Sequence, residues 1–264
     1  MLSTILAFIS LLRNGYAMLI QSPRHTAADL DLWSELEMAD LVHGQRPAMQ
    51  LKVHRSLESL LAFCSTGQCY ASISWGRDSV IIAHLIAISG VDLPLVHLRV
   101  VPTENPHTSD VRDSFLRTYP KCDYREIVKE SKHLHSSPTE RMAAKATFGK
   151  AFRNAGFDGW KYISGVRASE SGARKMRMRT WGASSLLTCA PIGWWTDADV
   201  FGYLATMSLP VHPNYAMLGG GRWPRERIRV SELAGEYGME WGRAQWEQEY
   251  YGDIINRLNL PQHP

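Results

Sequence analysis

The sequence predicts an α/β fold: a Rossmann-like, mainly parallel sheet flanked by helices. Three observations carry that expectation. Strand candidates at "CYASIS", at the apolar, β-branched "LPLVHLRVV" and at "GWKYIS" are separated by segments of helical pattern, the alternation expected of βαβ units in a mainly parallel sheet. The first of these runs passes through "WGRD" directly into "SVIIAHLIAIS", with no room for anything but a tight strand-to-helix turn. Two strand ends, at Ser74 and at Gly165, stop on small polar residues, on the edge where open parallel sheets collect their ligands.

Length and composition bound what such a fold serves. At 264 residues with 45% hydrophobic content the chain fills one large core or two modest ones. A net charge of +3, from 29 Lys+Arg against 26 Asp+Glu, does not by itself mark a nucleic-acid binder. Cys64, Cys69, Cys122 and Cys189 form no C-x-x-C framework, which points to a reducing, cytoplasmic setting. The apolar start "MLSTILAFISLLRNGYAMLI" lacks a basic leader and is interrupted by Arg13, so a packed or interfacial helix is expected there rather than a signal or membrane anchor; Met18 offers a second start. We divide the chain into an N-terminal helical extension (1–45), a central α/β domain (46–215) and a C-terminal loop and helical segment (216–264).

In order, a helix is expected from Thr26 to Gly44 with Leu32, Leu36 and Ala39 inward, then a second with Leu57, Leu60, Leu61 and Cys64 on one face. After the strand, turn and helix at 69–89, Leu93 to Val101 completes a βαβ unit. "HTSDVRDSFLRTYP" and "SPTERMAAKATFGKAFRNAG" read as helices, the latter with a Ser137/Glu140 capping box, and "CDYREIVKE" supplies a short strand between them. "GWKYISGVRA" and "SLLTC" are further strands, followed by a helix capped by Thr196 or Asp197 with Val200, Tyr203 and Leu204 inward. "LPVHPNY" reads as a proline-fixed loop able to close over a ligand, and Trp194 and Trp195 as core or subunit contacts. Gly219 to Gly221 read as a mobile hinge, "RWPRERIRV" as a cover for the site or a basic surface, and the last stretch as an amphipathic helix with Trp241, Tyr250, Ile254 and Leu258 available for packing.

Chemistry concentrates in two places. In "SWGRDS", Ser74, Ser79 and the N–H groups around Gly76 can donate to anionic oxygens at a helix N-terminus, Gly76 permits close approach and Arg77 adds charge. Asp78 is the odd member: it binds Mg²⁺, caps the helix or holds the loop. The plainer alternative is a turn in which Ser and Asp merely cap the helix. The second place is "SGVRASESGARKMRMR"; between Lys161 and Trp181 the formal charge is +5. Arginines in such a cluster suit polyphosphate, sulfate or a nucleic-acid backbone, and a solvated surface is the alternative.

Three stretches in order, "SWGRDS", "GVRASESGAR" and "PIGWWTDADVFGYL", resemble the S-G-G-K-D-S loop, the G-x-R-x-x-E-S-x-x-R segment and the P-I-x-x-W-T-x-x-D-V-x-x-Y-[IL] segment of the PP-loop superfamily. The resemblance is to its phosphoadenosine phosphosulfate (PAPS) reductase and ATP sulfurylase small-subunit family, and spans roughly Leu57 to Tyr215, with Trp75 in place of a glycine and Arg77 in place of a lysine. It implies a site for ATP or a related adenine nucleotide, with phosphates held by Ser72, Ser74, Trp75, Gly76, Ser79, Gly165, Glu170 and Ser171. It further implies Arg77, Asp78, Arg167 and Arg174 as catalytic residues, Mg²⁺ on Asp78, cleavage at the α phosphate, and an adenine-side helix carrying Thr108.

One departure bears on activity. The thiol-dependent reductases of that family resemble one another in a late E-C-G-[LI]-H tail, whereas this chain ends "INRLNLPQHP" and its last cysteine is Cys189. The expectation is therefore an ATP pyrophosphatase or adenylyltransferase that activates an unidentified acceptor, with sulfate, a sulfur-transfer substrate and nucleic acid as candidates. A PAPS reductase using an external thiol and a non-catalytic nucleotide-binding subunit are the alternatives. A protein partner or homo-oligomer is compatible with the aromatic C-terminal segment, and no membrane association is expected.

Overall fold

The computed structural model describes residues 18–132, 137–230, 232–235 and 241–258; the expected N-terminal helix before Met18 lies outside them. The elements are β1 (Met18–Leu19), α1 (Ala27–Gly44), α2 (Pro47–Cys64), β2 (Cys69–Ile73), α3 (Arg77–Ser89), β3 (Leu95–Val101), α4 (Thr108–Thr118), β4 (Tyr124–Glu130), α5 (Pro138–Phe152), β5 (Lys161–Ile163), α6 (Gly172–Trp181), β6 (Thr188–Cys189), α7 (Asp197–Thr206), β7 (Pro210–Val211) and α8 (Arg243–Arg257).

Five strands pair in the order β4-β3-β2-β5-β6, all parallel. β2 is central, and its residues are buried except half-buried Ser72, which is why its sequence is a continuous apolar run rather than an alternation. From β2 the chain builds outward through β3 and β4, then returns to the other side of β2 to add β5 and β6. The order therefore reverses between β2 and β5, where Cys69 faces Lys161 and Ala71 faces Ile163. Loops that leave these two strands diverge, and a crevice opens at their carboxyl ends.

Local signals set most helix ends. Thr26, Ser137 and Thr196 each cap with a reciprocal carboxylate, Asp29, Glu140 and Asp199 respectively; α7 thus begins with Thr196 as its cap and leaves Asp197 free for another task. α1 differs from expectation in the face it buries. Trp33, Asp29, Glu37, Asp40 and Gly44 point inward while Leu32 and Leu36 are half-buried and Ala39 exposed. The reason lies in the C-terminal segment: Asp40 takes both Nη atoms of buried Arg225 at 2.6 and 2.7 Å, and Asp29 accepts from the backbone N–H of Leu218 and the hydroxyl of Tyr250. A close approach of Gly44 to Gly202 lets α1 lie directly on α7. In α2, Phe63 is buried and Leu61 exposed, the reverse of the simple face drawn through Leu61.

The main apolar cluster joins α1, α2, α3, α7, α8 and the sheet. "LPVHPNY" forms β7 and a 3₁₀ turn at Pro213–Ala216, wholly buried, so it is part of this core rather than a movable cover. The glycines at 219–221 adopt positive φ in an anchored turn, with Gly219 N–H donating to Tyr250 and Gly220 N–H to Asp29. Among the described residues no helix is long and apolar enough to cross a membrane.

Candidate functional site

A cleft of about 250 Å³ opens where the strand order reverses, lined by the β2-to-α3 turn, the loop after β5, Glu170 and Arg174, and Tyr215, Arg229 and Val230 from later in the chain. Its floor is the N-terminus of α3, whose first-turn N–H groups have no intrahelical partner and carry the positive end of the helix dipole. Arg77 N–H is bonded to the Tyr215 hydroxyl at 3.2 Å. Burial pushes the Tyr215 phenol up from its ordinary value, so the hydroxyl keeps a proton to donate. Ser79 Oγ accepts from Ser74 N–H at 3.2 Å and donates to the Gly76 carbonyl at 3.0 Å, which holds the turn in shape.

Two positions in the turns are dictated by space. A Cβ on Gly165 would sit 2.8 Å from Asp78 Cβ and 3.0 Å from its carbonyl carbon, so the β5 loop reaches α3 only through glycine. Trp75 has φ 57°, a left-handed conformation that glycine adopts more cheaply. Its ring turns away from the cleft into the core, fully buried against Phe115 and Tyr124 at centroid separations of 5.5 and 5.8 Å. Trp75 therefore shapes the turn and anchors it; it does not line the phosphate-sized space.

The arginines divide into two layers. Arg77 and Arg167, expected to face the ligand, are buried beneath the floor with 1% and 0% of their side chains exposed. Arg77 donates to the carbonyls of Arg225 and Glu226 at 3.1 and 2.8 Å and to Asp197 Oδ1 at 2.7 Å, and its guanidinium lies over the rings of Phe201 and Tyr215. Arg167 donates from Nε to Asp78 Oδ1 at 2.7 Å, from Nη2 to the same Asp197 oxygen at 2.9 Å, and from Nη1 to Ser169. Desolvating two guanidiniums is tolerable only with such pairing. The physical reason for the inward orientation is thus Asp197, distant in sequence, together with carbonyls of the C-terminal segment.

The upper layer is Arg174 and Arg229, both solvent-accessible and held by one carboxylate. Glu170 accepts from Arg229 on Oε1, from Arg174 on Oε2, and from the backbone N–H of Arg167 at 2.8 Å. Burial works to raise the Glu170 carboxyl, but the Arg167 N–H and the guanidiniums of Arg229 and Arg174 outweigh it and hold it below the usual carboxylate range. For Asp78 burial prevails and pushes the carboxyl up against the pull of Arg77 and Arg167.

Of the residues expected from sequence, the structure brings Ser72, Ser74, Gly76, Asp78, Ser79, Gly165, Glu170 and Arg174 to the cleft. Ser171 is exposed and spends its hydroxyl capping α6 on Arg174 N–H, and Thr108 is buried at the start of α4 away from the cleft lining. Tyr215, Arg229, Ser164 and Val166 join the site without having been singled out individually. Their signals were the stretches they sit in: "SGVRASESGARKMRMR" for Ser164 and Val166, "LPVHPNY" for Tyr215, and "RWPRERIRV" for Arg229 and for Val230, which also lines the cleft. None of the four cysteines lines the cleft.

For a divalent cation the donor set is thin. Asp78 Oδ1 is taken by Arg167 and Oδ2 lies 3.7 Å from Arg77 Nε, and both Glu170 oxygens are occupied by arginines; among the described residues no three metal-ligating side chains converge. Such a donor set does not make an all-protein cation cage.

A parallel sheet with a serine- and glycine-lined helix N-terminus at its switch point places the protein in the open, doubly wound α/β class. The profile of the phosphoadenosine phosphosulfate reductase domain matches residues 68–217, and the chain belongs to that family. No curated protein matches the chain. Solved structures similar to it include phosphoadenylyl-sulfate (PAPS) reductase from Candida auris in a phosphate complex, with 13% identity, TM-score 0.45, and 68% of this chain and 89% of that one covered. NMN synthetase from Francisella tularensis gives 11% identity and TM-score 0.42 over 82% and 98%. The U34-tRNA thiolase from Methanococcus maripaludis with its [4Fe-4S] cluster gives 14% and 0.41 over 79% and 80%.

Proposed function

We propose that the cleft binds ATP or a related adenine nucleotide with its phosphates over the Ser74–Ser79 turn, and that the protein cleaves it at the α phosphate to adenylylate an acceptor. An acceptor oxygen attacks the α phosphorus, the bond to the bridging oxygen breaks, and pyrophosphate leaves with the electron pair. The observation that supports this reading is the pair Arg174 and Arg229, gathered by Glu170 over a helix N-terminus. Two cations above and backbone donors below match a charge-rich polyphosphate, and they are oriented before it arrives. Mg²⁺ would be held by Asp78 Oδ2 and nucleotide oxygens, and would supply charge neutralisation on the departing pyrophosphate. Arg77 and Arg167 are positioning residues that fix Asp78 and the turn.

The test is product analysis with α-labelled ATP and Mg²⁺, with and without sulfate, for the wild type, Arg174→Ala and Arg229→Ala. AMP or an adenylylated product with stoichiometric pyrophosphate is expected, and each variant should lower kcat by about 10²-fold, the usual scale for one transition-state donor. Sulfite release from PAPS with an added dithiol, and no ATP turnover, would establish the reductase alternative. Tight ATP binding without any turnover would make the protein a nucleotide-binding subunit.

A further inference from the structure

From Ser171 to Thr196 the chain contains Arg174, Lys175, Arg177 and Arg179 and no Asp or Glu. From Ser171 to Leu187 most of this stretch is exposed. α6 buries a single residue, Met178, against Ala168 and Ala190. The rest of the helix and the loop after it stand in solvent, including large apolar side chains: Trp181 is 75% exposed, Leu186 91%, and Met176, Leu187 and Trp194 more than half. A chain seldom leaves so much aromatic and aliphatic surface together without something to cover it.

Helical spacing orders the face. With Met178 inward, Arg174, Arg177 and Trp181 follow one another at three- and four-residue intervals along one flank, a run of about 10 Å. Arg174 is at once the first residue of this flank and a wall of the cleft, so the strip leads away from the candidate nucleotide site. Lys175 and Arg179 lie on the opposite flank.

We propose that the exposed side of this helix binds a single-stranded nucleic acid, whose bases stack on Trp181, whose phosphates pair with Arg177 on the same flank, and whose backbone meets Lys175 and Arg179 where it crosses to the other flank. Cations track a phosphodiester backbone, and an exposed indole offers a stacking platform that any base can use. Arg174 is paired with Glu170, but a two-fold contact between two copies of this face would still set Lys175, Arg177 and Arg179 against the same three cations, with no acidic residue between Ser171 and Thr196 to relieve them. The strip's continuity with the cleft gives a strand a path to a site for phosphate chemistry, which a lipid surface would not use.

The experiment is fluorescence anisotropy with a 5′-labelled mixed-sequence 20-mer, as RNA and as DNA, without ATP, so that its outcome is independent of any nucleotide turnover. Micromolar binding is expected at 50 mM salt, weakening by about tenfold at 200 mM as three or so phosphates release counterions. Arg177→Glu/Arg179→Glu should weaken binding at least about tenfold and flatten the salt slope, and Trp181→Ala about fivefold or more. Circular dichroism melts confirm folding, with Arg177→Gln/Arg179→Gln as the milder pair if the charge reversal unfolds. Absence of binding at 50 mM salt, or equal binding by the variants, would overturn the proposal. So would capture by phosphatidylserine vesicles or dimerisation that Trp181→Ala abolishes, in a protein that ignores the oligonucleotide.

Discussion

In an Asp197→Ala protein, Arg77 and Arg167 each lose the carboxylate oxygen they share, at 2.7 and 2.9 Å. Both guanidiniums remain buried, and neither can reach water to compensate. Removing one partner from a buried pair costs about 3–5 kcal/mol; with Asp197 itself 28% exposed, screening brings the expected loss to about 2–4 kcal/mol. Arg167 keeps Asp78 and Arg77 keeps two carbonyls, so the protein should still fold. For a chain of this size each kcal/mol is worth about 2–4 °C, which predicts a fall in Tm of about 4–16 °C. In urea the midpoint should drop by about 1 M if m is about 3 kcal/mol/M. Asp197→Asn retains an acceptor oxygen and should lose about half as much; on the proposed reading both variants should also lower ATP turnover, because Arg167, which still bonds Asp78, is itself held at one point fewer. Calorimetry and urea titration read the first effect, and the α-label assay the second. An Asp197→Ala protein as stable as the wild type, or an Asn variant no better than Ala, would refute the view that this carboxylate holds the two arginines under the floor.

Three further outcomes follow from single contacts. Gly165→Ala forces a Cβ into 2.8 Å contact with Asp78, so a destabilisation of about 1–3 kcal/mol and a larger loss in kcat than in nucleotide affinity are expected from unfolding and kinetic measurements. Trp75→Gly relieves the positive φ, worth about 1–2 kcal/mol, but removes a fully buried ring worth about 3–5, so urea titration should find a net loss of about 2 kcal/mol. Asp199 is worked upward by burial yet held down to about 2 by His43, Lys52 and the Thr196 cap. A depressed carboxylate stabilises above its unfolded value and loses that as pH falls, so Tm should decline between about pH 4 and 2 by the equivalent of about 2 kcal/mol, a decline that Asp199→Asn removes.

Periodicity and local chemistry made much of this molecule legible from its residues. The β2, α3 and β3 unit, the Thr196 and Ser137 caps and the inward Val200, Tyr203 and Leu204 depend on neighbours within a few positions, and those neighbours are written in the chain. So was the grouping of Ser74, Gly76, Asp78, Ser79, Gly165, Glu170 and Arg174, because parallel strands place their carboxyl-end loops on one edge whatever the details. Other features depended on partners far along the sequence, and only the tertiary structure decided them. α1 buries Asp40 and not Ala39 because Arg225 needs a carboxylate there. Arg77 and Arg167 face inward because Asp197 and the carbonyls of 225 and 226 receive them, while Arg229, from beyond the family domain, lines the cleft beside Arg174. An arginine's reach lets it serve either layer, and the choice rests on where desolvation is compensated, a property of the assembled fold.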